Sequence, residues 1–169
     1  IESGCLSVAS WTTKGMDEYI AYLQKIGKNT DSMIGEAVYA MADVVANAIR
    51  SNIQSLPTNA TEEDNIKAYK SGEKSRLTEK EKDGLLDGFG ISPMKNEMGF
   101  VNVKLGFDGY NSVKTNKYPN GQPNTLIARI TESGSPYRDK TPFVRTAIAK
   151  TKEPAIQAAQ IVIDKKLSE

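Results

Sequence analysis

The run Ser133-Gly134-Ser135-Pro136 constrains this chain more than any other stretch. Glycine tolerates positive φ and proline lacks a backbone donor, so no regular element continues through it. The turn must be sharp, and it separates a short apolar element from a long helix. In the element before it, Leu126 to Ile130, β-branched residues suggest a strand, whereas Asn124 and Gly134 look like helix caps. The caps favour a short helix. After the turn, Thr141-Pro142 reads as a helix start, with a capping hydroxyl and a proline whose missing N–H costs nothing there. Val144, Ile148, Ala155, Ala159 and Val162 then form an apolar stripe, and Lys165 and Lys166 suit the negative end of the helix dipole. Pro154 lies inside this pattern and predicts a kink, because the stripe resumes in phase beyond it.

Two further helices are expected upstream. Met16, Tyr19, Ile20, Leu23 and Ile26 recur at helical spacing, with Gly27 placed to end the helix. Thr30-Asp31-Ser32 offers caps for a second helix carrying Ile34, Val38, Met41, Val45, Ala48 and Ile49 to about Ser55. Its alanines permit close approach by another element. Before these, Leu6 and Val8 alternate with small residues in a short strand or extended arm bearing Trp11, which is expected to pack on the first helix.

From residue 57 to 82 the chain turns polar, and it is expected to form a flexible insertion loop anchored only by Ile66, Tyr69 and Leu77. At its end, Thr78 and Glu81 make a capping-box pattern ahead of Leu85-Leu86, and Gly88 can close the short helix. Ile91 to Lys95 and the run FVNVKLGF read as a hairpin joined by Asn96-Glu97-Met98-Gly99, with Pro93 confining the first strand to an edge. Lysines, asparagines and prolines from Lys114 to Asn124 make a second loop. The sum is an α+β fold: two or three long helices packed on a small antiparallel sheet, in one domain over residues 1–169.

Composition narrows function. The chain has no histidine, which removes Ser-His and Cys-His nucleophilic catalysis and imidazole metal sites together. The single cysteine, Cys5, excludes an intrachain disulfide and a cysteine-cluster zinc site. Gly72-Glu73-Lys74-Ser75 keeps only the tail of a phosphate loop, and DGLLDGFG lacks the alternating acids of a calcium loop. With 22 basic against 21 acidic residues, no general attraction to nucleic acid or anionic membrane follows. No run is apolar enough to span a bilayer and no signal-peptide layout opens the sequence, so a soluble protein made in a cytoplasm is expected.

Arg129, Arg138, Lys140 and Arg145 cluster along the turn. Two fates compete: neutralising acids of their own surface, or meeting carboxylates on another subunit through forked bonds.

The segments LLDGFGISPMK, VNVKLGFDGYN, KYPNGQPNTLIARITESGS and KTPFVRTAI together resemble a family of long-tailed bacteriophages and prophages of Gram-positive hosts. It is the tail-completion, or minor tail-component, family of the head–tail joining module. The shared signature is a Glu-x-Gly turn followed by a Pro-Phe helix start, here Glu132, Gly134, Pro142, Phe143 and Arg145 with Ala147. The resemblance implies a structural virion protein, assembled in the host cytoplasm and acting in several copies, six-fold by preference. It would form a ring that closes the tail tube or joins it to the neck. The implied partners are copies of itself, the tail tube or sheath, and neck or connector proteins. No catalytic residue, metal, cofactor, membrane contact or tight nucleic-acid binding is implied. The subunit contact is expected on the turn, at Arg129, Glu132, Gly134, Ser135, Tyr137, Arg138, Lys140 and Arg145.

Three alternatives make distinct demands. A connector ring on the portal side would line its lumen with Lys114 and Lys117 for DNA in transit. A nucleic-acid-binding regulator needs a basic aromatic face or a recognition helix. A carboxylate hydrolase needs two acids at suitable separation, and no pair is singled out.

Overall fold

The computed structural model describes residues 16–58, 60–97 and 100–168, so the expected N-terminal arm with Cys5 and Trp11 lies outside the described residues. Among the described residues, five helices and four short strands follow one another in an α+β arrangement. They are α1 (Met16–Gln54), α2 (Glu62–Ser71), α3 (Glu79–Gly88), β1 (Phe89–Ile91), β2 (Lys95–Glu97), β3 (Phe100–Asn102), β4 (Leu105–Phe107), α4 (Asn124–Ser133) and α5 (Val144–Ser168).

Where two helices were expected over the first 55 residues, a single helix runs through Gly27 and the Thr30-Asp31-Ser32 caps. A mid-helix glycine costs only about 1 kcal/mol against alanine, little beside the contacts of so long an element. The inward line of α1 is Ala42, Ala46, Ile49 and Ile53, spaced four, three and four residues apart. Ile34, expected on that stripe, is exposed instead.

α5 lies antiparallel to α1: Asn52 Nδ2 donates to Phe143 O (2.8 Å) at one end, and Lys166 Nζ meets Glu36 Oε1 (3.1 Å) at the other. Its buried positions are Ala147, Ala155 and Ala159, and small residues on both helices let the backbones approach closely. Ile148, assigned to the stripe by its spacing, is half exposed, because the alanines and not the largest aliphatic residues face inward. The helix runs unbroken through Pro154.

The hairpin forms with its register split in two. β1 pairs with β4 (Phe89↔Phe107) and β2 with β3 (Glu97↔Phe100), both antiparallel. Between the two ladders, Ser92 N donates to Lys104 O and Lys104 N donates to Ser92 Oγ, a side chain replacing a backbone acceptor beside Pro93. Asn96 and Glu97, expected in the turn, belong to β2; Met98 and Gly99 lie outside the described residues. Phe89 and Phe107 meet at a tilt of 45° with centroids 5.1 Å apart, and Phe107 meets Phe143 edge-on at 5.9 Å, joining sheet to core.

One core collects Ile49 and Ile53 from α1, Leu85 from α3, Ile127 and Ala128 from α4, Ala147 from α5, and Leu56, Leu77 and Phe143 from connections. Two glycines of DGLLDGFG serve this packing: a Cβ on Gly88 would sit 2.2 Å from Asp108 O, and one on Gly84 2.4 Å from Asn111 Cβ. α3 thereby comes against α4, where buried Asn124 donates through Nδ2 to Asp108 O.

Within the polar segment from 57 to 82, ahead of the expected Thr78 helix start, the chain forms α2 where a flexible loop was expected. Thr61 and Asp64 form a reciprocal capping box that opens α2, and Gly72, at φ 78°, closes it. The Asp64 carboxyl is held below its ordinary pKa, first by the Thr61 backbone N–H and then by the Thr61 hydroxyl. Leu77 is buried as expected of an anchor, but Ile66 and Tyr69 are exposed and α2 buries no residue at all.

Candidate interface around the glycine turn

α4 ends where Gly134, at φ 77°, donates its N–H to Ile130 O (2.9 Å). A Cβ there would meet Lys140 N and Cβ at 3.1 Å, so position and conformation both call for glycine. The next four residues close on themselves, with Ser135 N donating to Arg138 O and Arg138 N to Ser135 O. This turn is then sewn to the polar segment, because Ser75 donates to Tyr137 O from both its backbone N–H (2.6 Å) and its hydroxyl (2.9 Å).

Arg138 decides how the turn sits. It is 7% exposed, and Nη2 donates to both oxygens of Glu81 at 2.9 and 3.0 Å. Nη2 also reaches Arg76 O, and Nε reaches Ser75 Oγ. Glu81, 3% exposed, is at the same time the acceptor for Thr78 N in the α3 capping box. Sequence spacing predicted the capping box but not its second duty, which arises between residues 57 apart. A charge pair this dry persists only while both members are present.

Glu132 locks the other side. Its carboxylate accepts from the backbone N–H groups of Phe143 (2.7 Å), Val144 (2.9 Å) and Arg145 (3.1 Å), and from Arg145 Nε (2.8 Å). Arg145 Nη2 adds a bond to Glu132 O. The free donors at the start of α5 are therefore met by a carboxylate on the preceding helix, not by Thr141 as the local pattern suggested. Burial by itself would raise the Glu132 pKa, but the Arg145 bond and the three backbone donors outweigh it, and the group sits below its ordinary value.

The expected contact residues thus divide. Glu132, Gly134 and Arg138 are internal fasteners, and Arg138, predicted for a partner's surface, is spent on Glu81. Ser135 is half-buried, its hydroxyl accepting from Tyr137 N. Arg145 is exposed along one side while its charge faces Glu132. Tyr137, Lys140 and Arg129 point to solvent, and neither Lys140 nor Arg129 forms an ion pair among the described residues.

Sequence reasoning missed the surface beside the turn. The rings of Tyr137 and of Tyr69 in α2 meet at a tilt of 52° with centroids 5.9 Å apart, both largely exposed. They flank a groove of about 770 Å³ between α2 and the loop after β4, with Ile66 and Val113 among its apolar lining. That loop is held by buried Asn111, whose Oδ1 accepts from Val113 N and Gln122 N, so Lys114 and Lys117 are presented at the groove edge. The signal available beforehand was Thr61-x-x-Asp64 followed by Gly72, which marks α2 as a helix.

Among the described residues no group of three or more acidic or cysteine side chains is placed to hold a metal, and no helix is long and apolar enough to cross a membrane. The fold and the turn define a small α+β protein whose charged turn is fastened internally and whose exposed aromatics gather beside a groove. Comparison with protein-family models, curated proteins and solved structures finds no match.

Proposed function

We propose that this protein is a non-enzymatic virion assembly subunit, a tail-completion or tail-terminator protein that forms a ring at the head-proximal end of a phage or phage-like tail. The observation that carries the reading is the contrast at the turn: Arg138–Glu81 and Glu132 hold its backbone while Tyr137 and Tyr69 remain exposed beside the groove. A contact surface whose backbone is already fixed loses little freedom on binding, and tyrosines supply large contact area with few rotatable bonds. The partners are further copies of the chain, the tail tube or sheath, and neck proteins, with the subunit built into the virion after synthesis in the host cytoplasm.

The test is electron microscopy of particles made when this gene alone is deleted from its phage or prophage. Filled heads with separate or overlong tails are expected. Normal joined virions would overturn the proposal.

A further inference from the structure

α2 is an excursion between two fixed points. Before it, the Thr58 hydroxyl donates to Glu79 at the start of α3; after it, Ser75 donates twice to Tyr137 O and Leu77 enters the core. Between them α2 buries no residue, and a helix of ten residues without core contact is marginal in water. Among the described residues, its hydrogen bonds, ion pairs and ring contacts reach the rest of the protein at three places. The Glu62–Lys80 ion pair and the Tyr69–Tyr137 contact are open to solvent and hold it weakly. The third is Asn65, which is aimed at backbone: Nδ2 donates to Arg76 O and Oδ1 accepts from Arg76 N, both at 2.8 Å.

Arg76 is where α2 and the turn meet. Its carbonyl also accepts from Arg138 Nη2 (3.3 Å), the same nitrogen that serves Glu81. The groove lined by Asn65, Ile66 and Tyr69 takes in Thr78, Glu81 and Arg138 as well, each of these three less than a tenth exposed. α2 therefore stands as a wall beside the buried pair. With that wall gone the pair faces water, where an ion pair contributes little.

We infer that α2 is a latched flap: freed from Arg76 at Asn65, it lifts away between Thr58 and Ser75, opens the Arg138–Glu81 pair to water and loosens the turn that the pair holds. The turn has a fixed form while the latch is closed and a loose one while it is open. The coupling is reciprocal, so whatever weakens the pair also favours opening of the flap. None of this needs a partner, and the device holds whether or not the chain assembles a tail.

The experiment is native-state hydrogen exchange, resolved by residue with NMR, on full-length wild type, Asn65→Ala and Arg138→Met. Each variant disturbs one half of the device and is read at the other. In wild type, the amides of residues 62–71 are protected, and the Ser75, Ser135 and Arg138 amides exchange faster than those of Ile49 and Leu85, because flap and turn open without the core. Asn65→Ala removes both latch bonds and speeds exchange at those three turn amides about tenfold or more, since the turn opens through the open flap. Arg138→Met speeds exchange across residues 62–71 at least tenfold, since an open flap lets water reach the stranded Glu81. Asn65 is partly exposed, so its variant keeps the test decisive should Arg138→Met fail to fold.

Turn amides that keep their wild-type rate in Asn65→Ala overturn the inference, because the flap then moves independently of the turn. So does unchanged exchange of α2 in folded Arg138→Met, α2 exchanging at the free-peptide rate in wild type, or turn amides no faster than those of Ile49 and Leu85.

Discussion

The turn and α2 lie against each other yet are held in opposite ways. At the turn, two carboxylates from distant parts of the chain, Glu81 and Glu132, take up donors of residues 138 to 145, buried or half-buried at Arg138, Phe143 and Val144 and exposed at Arg145. α2 has reciprocal caps at its start and a left-handed glycine at its end, but it buries nothing, and its Tyr69 meets the body through the exposed Tyr137. In the first region the Arg138–Glu81 pair is taken out of water, with Arg138 Nη1 left without a hydrogen-bond partner, while Glu132 is mostly shielded and its partner Arg145 stays exposed. In the second, charge is solvated, and apart from the helix cap it joins α2 to its neighbours only through exposed contacts such as Glu62–Lys80. The same segment, residues 57 to 82, contains both cases, with Leu77, Thr78 and Glu81 inside the protein and residues 62 to 76 outside or at its surface.

The sharpest way to break this contrast is Arg138→Met, which strands Glu81 in an apolar surrounding. A loss of about 3–5 kcal/mol is expected in urea unfolding, and Glu81→Gln combined with it should recover part of that loss. A cost near that of an exposed ion pair would remove the distinction drawn here.

Next comes Glu132→Gln, expected to cost about 1–2 kcal/mol at neutral pH through the lost charge at the start of α5 and the lost Arg145 pair. The folded protein binds the Glu132 proton less readily than the unfolded chain, since its pKa is lowered. The stabilisation is therefore fully present above the unfolded value and is lost as pH falls through the lower folded one. The gap between wild type and Glu132→Gln should narrow below about pH 4.3, read from denaturation midpoints at successive pH values.

The two capping boxes provide an internal control. Thr78→Ala, at a buried cap coupled to Glu81, should lower global stability by about 1–2 kcal/mol. Thr61→Ala should leave the global transition within about 0.5 kcal/mol and instead speed hydrogen exchange in α2, because a helix with nothing buried can open by itself. Equal global effects would mean that α2 unfolds with the core. The smallest change is expected for Tyr69→Ala, within about 0.5 kcal/mol on stability, read from the same urea unfolding.

Much of the architecture was legible from the sequence because it depends on local rules. The Thr78 capping box, the glycine end of α4, the hairpin and the long terminal helix follow from local spacing and breakers. The caps expected of Asn124 and Thr141 do not form: α4 starts after Pro123 with no side-chain cap, and Glu132 caps α5. The errors share a cause as well. Gly27 and the Thr30 caps were local signals overruled by a longer helix, and the polar composition of residues 57 to 82 hid a capping box that composition does not weigh.

The candidate site divided along the same boundary. The amino-acid sequence by itself determined that a glycine turn with basic residues precedes a Pro-Phe helix start, because positive φ and a missing donor are properties of single residues. Only the tertiary structure decided that Arg138 faces inward to Glu81, that Glu132 caps α5, and that Tyr137 and Tyr69 face out together. Pairing charges across dozens of residues depends on which surfaces the core brings into contact and strips of water, and local sequence spacing does not specify that.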